Sequence, residues 1–146
     1  MTRICLDASF ILDVVLITPV SDKLETMLLD WSQAGIEIIA PPIFESETTS
    51  VLRNKLFRQV LSEEVASLAF NHVRNMPVSI LNLPDLQQRA WALAERFNHS
   101  RAYDAQYLAV AEHERCEFWT TDKRLYNSVQ PSLPWVKLAT ATTGDR

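Results

Sequence analysis

The sequence predicts an α/β fold, a sandwich with a central parallel sheet of about five strands flanked by helices. Two observations carry this. Short apolar runs suited to buried strands alternate with longer stretches of helical periodicity, and proline or glycine punctuates the joins between them. No repeat, linker or low-complexity segment breaks the alternation, so one domain over residues 1–139 is expected, followed by a frayed tail over 140–146.

Arg3 to Asp7 reads as the first strand. A helical stretch begins near Phe10, is interrupted around Pro19, and resumes over "SDKLETMLLDWSQAG". There Leu24, Met27, Leu28 and Trp31 recur at helical spacing, Ser21 is the expected cap, and Gly35 stops the helix. "IEIIA" is a second strand closed by Pro41-Pro42, and "IFESETTSVLRNKLFRQVL" is a helix. Ser62, with Glu63 and Glu64 behind it, starts another that runs to about Asn75. "VSIL" is a third strand, and Pro84 introduces the helix "DLQQRAWALAERFN". "RAYDAQYLAVAEHER" is helical, "EFWTT" is a fourth strand, "DKRLYNSV" is a short helix and "WVKLA" is a last strand.

Composition narrows the function classes. Of 146 residues, 47% are hydrophobic and 22% charged, a globular balance with enough chain to bury a core. The formal charge of -4 supplies no basic field to draw in nucleic acid, which counts against a simple binding module but not against an enzyme that meets phosphates through cations. With only Gly35 and Gly144, both the P-loop and the dinucleotide fingerprint are excluded. Cys5 and Cys116 read as small buried thiols and not as a disulfide framework. With no signal segment or spanning apolar run, a soluble, cytoplasmic protein with no membrane partner is expected.

Ligands of such folds bind outside the carboxyl ends of the strands, which gives the acidic residues their meaning. Asp7 ends the first strand and Asp122 the fourth, so both reach the same rim, although each also precedes a helix and suits a cap. Asp104 shares a helical stripe with Leu108 and Ala111, facing inward, where a charged carboxylate is costly unless paired. A salt bridge or a cation would meet that need. In "PPIFESETTSVLRN", Glu45 and Glu47 compete for a fourth position. They lie about 200° apart around a helix, and the wheel does not choose, because Glu47 shares a face with Phe44 and Val51 and Glu45 with Leu52 and Leu56.

These residues resemble the PIN domain family, in the compact form of VapC-type toxins from prokaryotic toxin–antitoxin pairs. The resemblance spans essentially the whole chain through "ICLDASFIL", "ESETTSVLRNKL", "RAYDAQYLAVAEHE" and "FWTTDKRL", and the pair "YDAQYLA…TTD" is its most specific part. It implies a PIN-like three-layer sandwich and a metal-dependent endoribonuclease. The family's glutamate, five residues before a Leu-Arg pair, falls on Glu47, so the implied catalytic and metal-binding set is Asp7, Glu47, Asp104 and Asp122. Thr120 matches a hydroxyl that orients the site, and Ser9 stands where it would adjust the hydrogen bonding behind it. The resemblance also implies a cognate antitoxin and a homodimer. Physical chemistry agrees on the cofactor: four close carboxylates repel, and a hard divalent cation such as Mg²⁺ or Mn²⁺ relieves them while offering a water and charge neutralisation to a phosphodiester.

Other residues carry less. His72, His99 and His113 lack paired ligand spacing and read as surface residues, although His99 and Arg101 lie close enough before Asp104 to touch substrate. Arg53, Lys55 and Arg58, with Arg101, are candidate RNA contacts, against the plainer reading of a solvated face. Trp31, Trp91, Trp119 and Trp135 read as core. No Ser–His or Cys–His nucleophile is evident, so water is expected to attack phosphorus directly. The alternatives are a PIN nuclease of RNA processing without an antitoxin and a non-catalytic PIN-like scaffold, the latter disfavoured by mutually repelling carboxylates. A phosphoacceptor domain is also weighed, but "LDAS" lacks its second adjacent acid.

Overall fold

Ile4, Cys5 and Leu6 form a strand with no solvent-exposed face, a pattern that suits the middle of a parallel sheet. The computed structural model, which describes residues 2–140, places that strand there. In chain order the elements are β1 (Arg3–Leu6), α1 (Ala8–Val15), α2 (Ser21–Gln33), β2 (Glu37–Ala40), α3 (Ile43–Phe57), α4 (Glu63–Arg74), β3 (Val78–Ile80), α5 (Leu86–Arg96), α6 (Tyr103–Glu114), β4 (Glu117–Thr120), α7 (Lys123–Val129) and β5 (Val136–Leu138). The strands are ordered β3-β2-β1-β4-β5 and every pairing is parallel. Ile4 lies opposite Ile38 on one side and Glu117 on the other.

Right-handed crossovers fix the layers. Helices α1 to α4 pack together on one face, with α1 against α2, α3 and α4, while α6 covers β1 and β4 on the other face with α5 upon it. The core runs through all three layers: Phe10, Ile11 and Leu24, then Cys5, Leu6, Ile39 and Phe118, then Tyr107, Leu108 and Val110. Helix α6 is buried without a break from Ala105 to Ala111, and three alanines in that run let it lie close to the sheet. The chain leaves β1 toward β2 and later returns to the other side of β1 as β4. This reversal opens a crevice at the carboxyl ends of β1 and β4.

Several local expectations are corrected. Ser21 is the first residue of α2 and not its cap; its hydroxyl donates toward the Asp13 and Leu16 carbonyls and accepts from Thr18 N–H, so it ties down the bend after α1. Helix α3 stops at Phe57, well short of Leu61, because Gln59 turns to a φ of 61°. Trp91 is not core: it is 74% exposed on α5. Trp31 packs between Phe10 and Trp119 at the margin of the core. Ser62 caps α4 through Val65 N–H, and Gly35 adopts the positive φ of 75° that ends α2, both as expected. Cys5 and Cys116 are free thiols, the first buried and the second partly so. No helix among the described residues is long and apolar enough to cross a membrane. Of the expected tail, residues 141–146 lie outside the described residues.

Candidate active site

Because every strand is parallel, the helices that follow β1, β2 and β4 and the helix that precedes β4 all begin or open at one rim. The N-termini of α1, α3, α6 and α7 therefore meet there, and their partial positive charge favours carboxylates. Asp7 caps α1, Asp104 lies in the first turn of α6, and Asp122 caps α7. Glu47 sits one turn into α3. Glu47, Asp104 and Asp122 line one cleft of about 550 Å³, and Asp7, only 4% exposed, lies close enough to feel the charge of Asp104.

Asp7 is held on both oxygens. Oδ1 accepts from Phe10 N–H at 3.0 Å and from the Ser9 hydroxyl at 2.8 Å. Oδ2 accepts from the Thr120 hydroxyl at 2.6 Å. Thr120, fully buried at the end of β4, also accepts from Asp122 N–H at 2.9 Å, so one hydroxyl joins two of the four carboxylate residues. The Ser9 and Thr120 hydroxyl oxygens are 3.2 Å apart. Burial pushes the Asp7 carboxyl up to about 7; its three hydrogen bonds oppose that rise and Asp104 adds to it.

Glu47 accepts from the Tyr107 hydroxyl at 2.6 Å, a short charge-assisted bond from a ring with no solvent exposure. Burial raises the Glu47 carboxyl above its ordinary range, with Asp104 contributing, and the tyrosine bond works against it. Tyr107 is itself pushed far up by burial and by Glu47, so it stays a proton donor. Glu45, which the helical wheel could not separate from Glu47, is solvent-exposed and pairs with Arg74 at 3.8 Å. Asp122 Oδ1 accepts from Arg124 and Leu125 N–H, while among the described residues Oδ2 accepts nothing. Asp104 accepts no hydrogen bond from the described residues. Burial raises its carboxyl, Asp122 adds to the rise, and His99 and Arg124 pull it back.

Asp7 and Asp122 are thus caps, as the plain reading held, and Asp122 also lines the cleft with Glu47 and Asp104. The donor set is all carboxylate and hydroxyl oxygen, which suits a hard divalent cation and not a soft one. Three of the four carboxyls are raised, chiefly by burial and in smaller part by one another's charge. Among the described residues no three such side chains stand close enough to enclose an ion. An open arrangement fits Mg²⁺, which keeps several waters and takes one or two carboxylates.

The cleft also contains His99 and Arg101, as anticipated, together with Arg124, Ser128 and Tyr103, which the sequence did not single out. Arg53, Lys55 and Arg58 are not among its lining residues; Arg53 lies over the Phe57 ring and borders a groove between α3 and α4. His72 lies on α4, and His113 pairs with Glu114. The cleft does bring a serine to a histidine, with His99 Nε2 3.1 Å from Ser128 Oγ. The Ser128 hydroxyl already donates to the Leu125 carbonyl at 2.9 Å. Ser128 Oγ is thus shared between its own helix and His99. One signal could have found Tyr107: a buried tyrosine needs a partner for its hydroxyl. Arg124 and Ser128 gave no signal, because only the fold sets α7 beside the loop before α6.

A family model described as PIN domain matches residues 4–128. The chain is 30% identical over 125 residues to Ribonuclease VapC12 of Mycobacterium tuberculosis, covering 86% of this chain and 91% of that protein. It is 33% identical over 101 residues to VapC ribonuclease Mb0985 of Mycobacterium bovis, covering 69% and 77%. A toxin–antitoxin complex from Klebsiella pneumoniae contains a chain of similar fold, with a TM-score of 0.60 at 19% identity, covering 94% of this chain and 97% of that one.

Proposed function

The chain belongs to the PIN domain family, and from that premise we propose that it is a divalent-metal-dependent endoribonuclease, the toxin of a toxin–antitoxin pair. The observation that carries the reading is Asp104, a half-buried carboxylate with no hydrogen-bond donor among the described residues, in a cleft it shares with Glu47 and Asp122. A structural role would have given such a group a partner. The relatives named as VapC ribonucleases support RNA as the substrate. The toxin–antitoxin neighbour supports a cognate antitoxin, and a cytoplasmic location and the homodimer that the family resemblance implies belong to the same proposal.

Glu47, Asp104 and Asp122 would hold Mg²⁺ or Mn²⁺ from the cleft, with Asp7 buried within reach of the Asp104 charge. When bound, the cation supplies an activated water and neutralises charge on the phosphodiester. Thr120 and Ser9 fix the orientation of Asp7. Tyr107 fixes Glu47 in the direction of the cleft. With no cysteine in the cleft lining and the Ser128 hydroxyl bonded to the Leu125 carbonyl, water adds directly at phosphorus and gives up a proton, the bond from phosphorus to a ribose oxygen breaks, and that oxygen leaves with a proton.

The test is cleavage of single-stranded RNA by purified protein, with Mg²⁺ or Mn²⁺ and with EDTA. Cleavage that needs the cation is the expected result; strong cleavage by carefully demetallated protein overturns it. Expression alone should arrest growth, and co-expression of a neighbouring short reading frame should relieve the arrest. Harmless expression of an active nuclease would favour an RNA-processing enzyme over a toxin.

A further inference from the structure

Besides its carboxylates the cleft has a wall of different character. Asn98, at a φ of 55°, ends α5 and sends the chain through His99, Ser100 and Arg101 along the cleft before α6 begins at Tyr103. Arg124 approaches from the first turn of α7. Arg3, Arg74 and Arg89 are each ion-paired to carboxylates. Among the described residues, neither Arg101 nor Arg124 has a hydrogen-bonded or ion-paired partner for its guanidinium. Arg124 bears on the site only through the field it exerts at Asp104. Tyr103 lines the same cleft with 54% of its surface in water. Its ring would gain by covering, and the cleft it lines is mostly polar, with Leu125 the one aliphatic side chain in the lining.

A flat ring that shares a cleft with two guanidinium groups unpaired among the described residues, and with hydrogen-bonding side chains, matches one kind of ligand. We propose that this wall is a nucleotide subsite, in which Tyr103 stacks the base of an unpaired nucleotide while Arg101 and Arg124 hold the phosphates on either side of the scissile bond. The inference rests on the ribonuclease reading and adds its substrate geometry. Every base has a π-face, so the ring gives affinity with little sequence demand. A base in a duplex is already stacked and must be unstacked first, so the subsite selects unpaired segments. Guanidinium contacts to phosphate add affinity that falls with salt.

The experiment measures binding by fluorescence anisotropy, with a labelled single-stranded RNA of about twelve nucleotides and mixed sequence. Asp104→Asn protein in Mg²⁺ prevents cleavage, and each variant is added to that background. Tyr103→Ala should weaken binding by about tenfold or more, while Tyr103→Phe stays within about twofold of the parent. Arg101→Ala and Arg124→Ala should each weaken binding and lower the slope of log K against log salt by about 0.7. Trp91→Ala, which removes an exposed ring that does not line the cleft, should change nothing. A duplex of the same sequence should bind more weakly. Tyr103→Ala binding as tightly as the parent, Tyr103→Phe losing as much as the alanine change, or salt slopes unmoved by both arginine changes would each overturn the subsite while leaving a ribonuclease. No RNA binding by the parent, together with no cleavage by wild-type protein in Mg²⁺ or Mn²⁺, would instead end the ribonuclease reading and the subsite with it.

Discussion

The Thr120 hydroxyl donates to Asp7 Oδ2 at 2.6 Å and accepts from Asp122 N–H at 2.9 Å, so one buried oxygen couples the ends of β1 and β4. Thr120→Val keeps the volume and removes both bonds. It should destabilise the fold by about 1–3 kcal/mol, the range for leaving buried polar partners unsatisfied, and should lower RNA cleavage. Thr120→Ser should recover most of both. Urea melts and cleavage rates of the two variants check this, and a Val variant as stable as wild type would defeat it.

If four carboxylates share one rim, the metal-free fold stores repulsion there. Asp104→Asn should abolish cleavage yet raise the melting temperature in EDTA, by something on the order of 1 kcal/mol or about 2–4 °C. It should also shrink the stabilisation given by Mn²⁺. Thermal melts of wild type and variant, with EDTA and with Mn²⁺, give the sign; a loss of stability in EDTA would mean that Asp104 is a structural partner.

Glu47 and Glu45 should separate sharply. Glu47→Gln should reduce cleavage by at least about tenfold, and Glu45→Gln should leave it nearly unchanged, its pairing with Arg74 being exposed and worth little. Tyr107→Phe should fall between them and weaken Mn²⁺ binding in calorimetry, because it releases the glutamate without removing it. Equal losses from Glu45→Gln and Glu47→Gln would refute this assignment.

Asp7 makes the metal-free protein sensitive to pH. Its carboxyl is raised from 3.8 to about 7 in the fold, so the fold binds that proton more tightly than the unfolded chain does. The stability it contributes is fully present below about pH 4 and is lost as pH rises through 7, each unit weighing about 1.4 kcal/mol. In EDTA the urea midpoint should therefore fall between pH 5 and pH 8. Asp7→Asn should flatten that fall, since asparagine caps a helix nearly as well without titrating. A wild-type midpoint that stays level across this range would rule out a protonated Asp7.

What the sequence disclosed depended on how local each signal was. Asp7 and Asp122 stood out because they follow apolar strands, and Asp104 because a charge interrupted a buried stripe. The alternation of elements was enough to give the parallel sheet. Its edges shifted by a residue or two where an expected strand end became a helix cap, as at Asp7 and Asp122. The helical wheel could not choose between Glu45 and Glu47 because both faces of α3 carry apolar residues; the family resemblance selected Glu47, and its bond from Tyr107, sixty positions further on, was beyond any local pattern. Trp91 was misread because aromatic character alone says nothing about which side of α5 meets the sheet. Arg124 and Ser128 meet His99 only after β4 has crossed to the far side of β1, and no window along the chain contains that event.

The 3.2 Å gap between the Ser9 and Thr120 hydroxyls has a consequence for proton stoichiometry. While Asp7 is ionised, both hydroxyl protons point at its carboxylate and none lies between the two oxygens. If Oδ2 takes up a proton, Asp7 becomes the donor to Thr120, and the threonine proton is free to turn toward Ser9. The trio then holds three protons where it held two, with every oxygen still satisfied. A cation arriving at the rim favours the two-proton state and must expel the third. Mixing the protein with Mn²⁺ in weakly buffered solution near pH 6.5 should therefore acidify it by up to about one proton per site, and the release should vanish in Asp7→Asn.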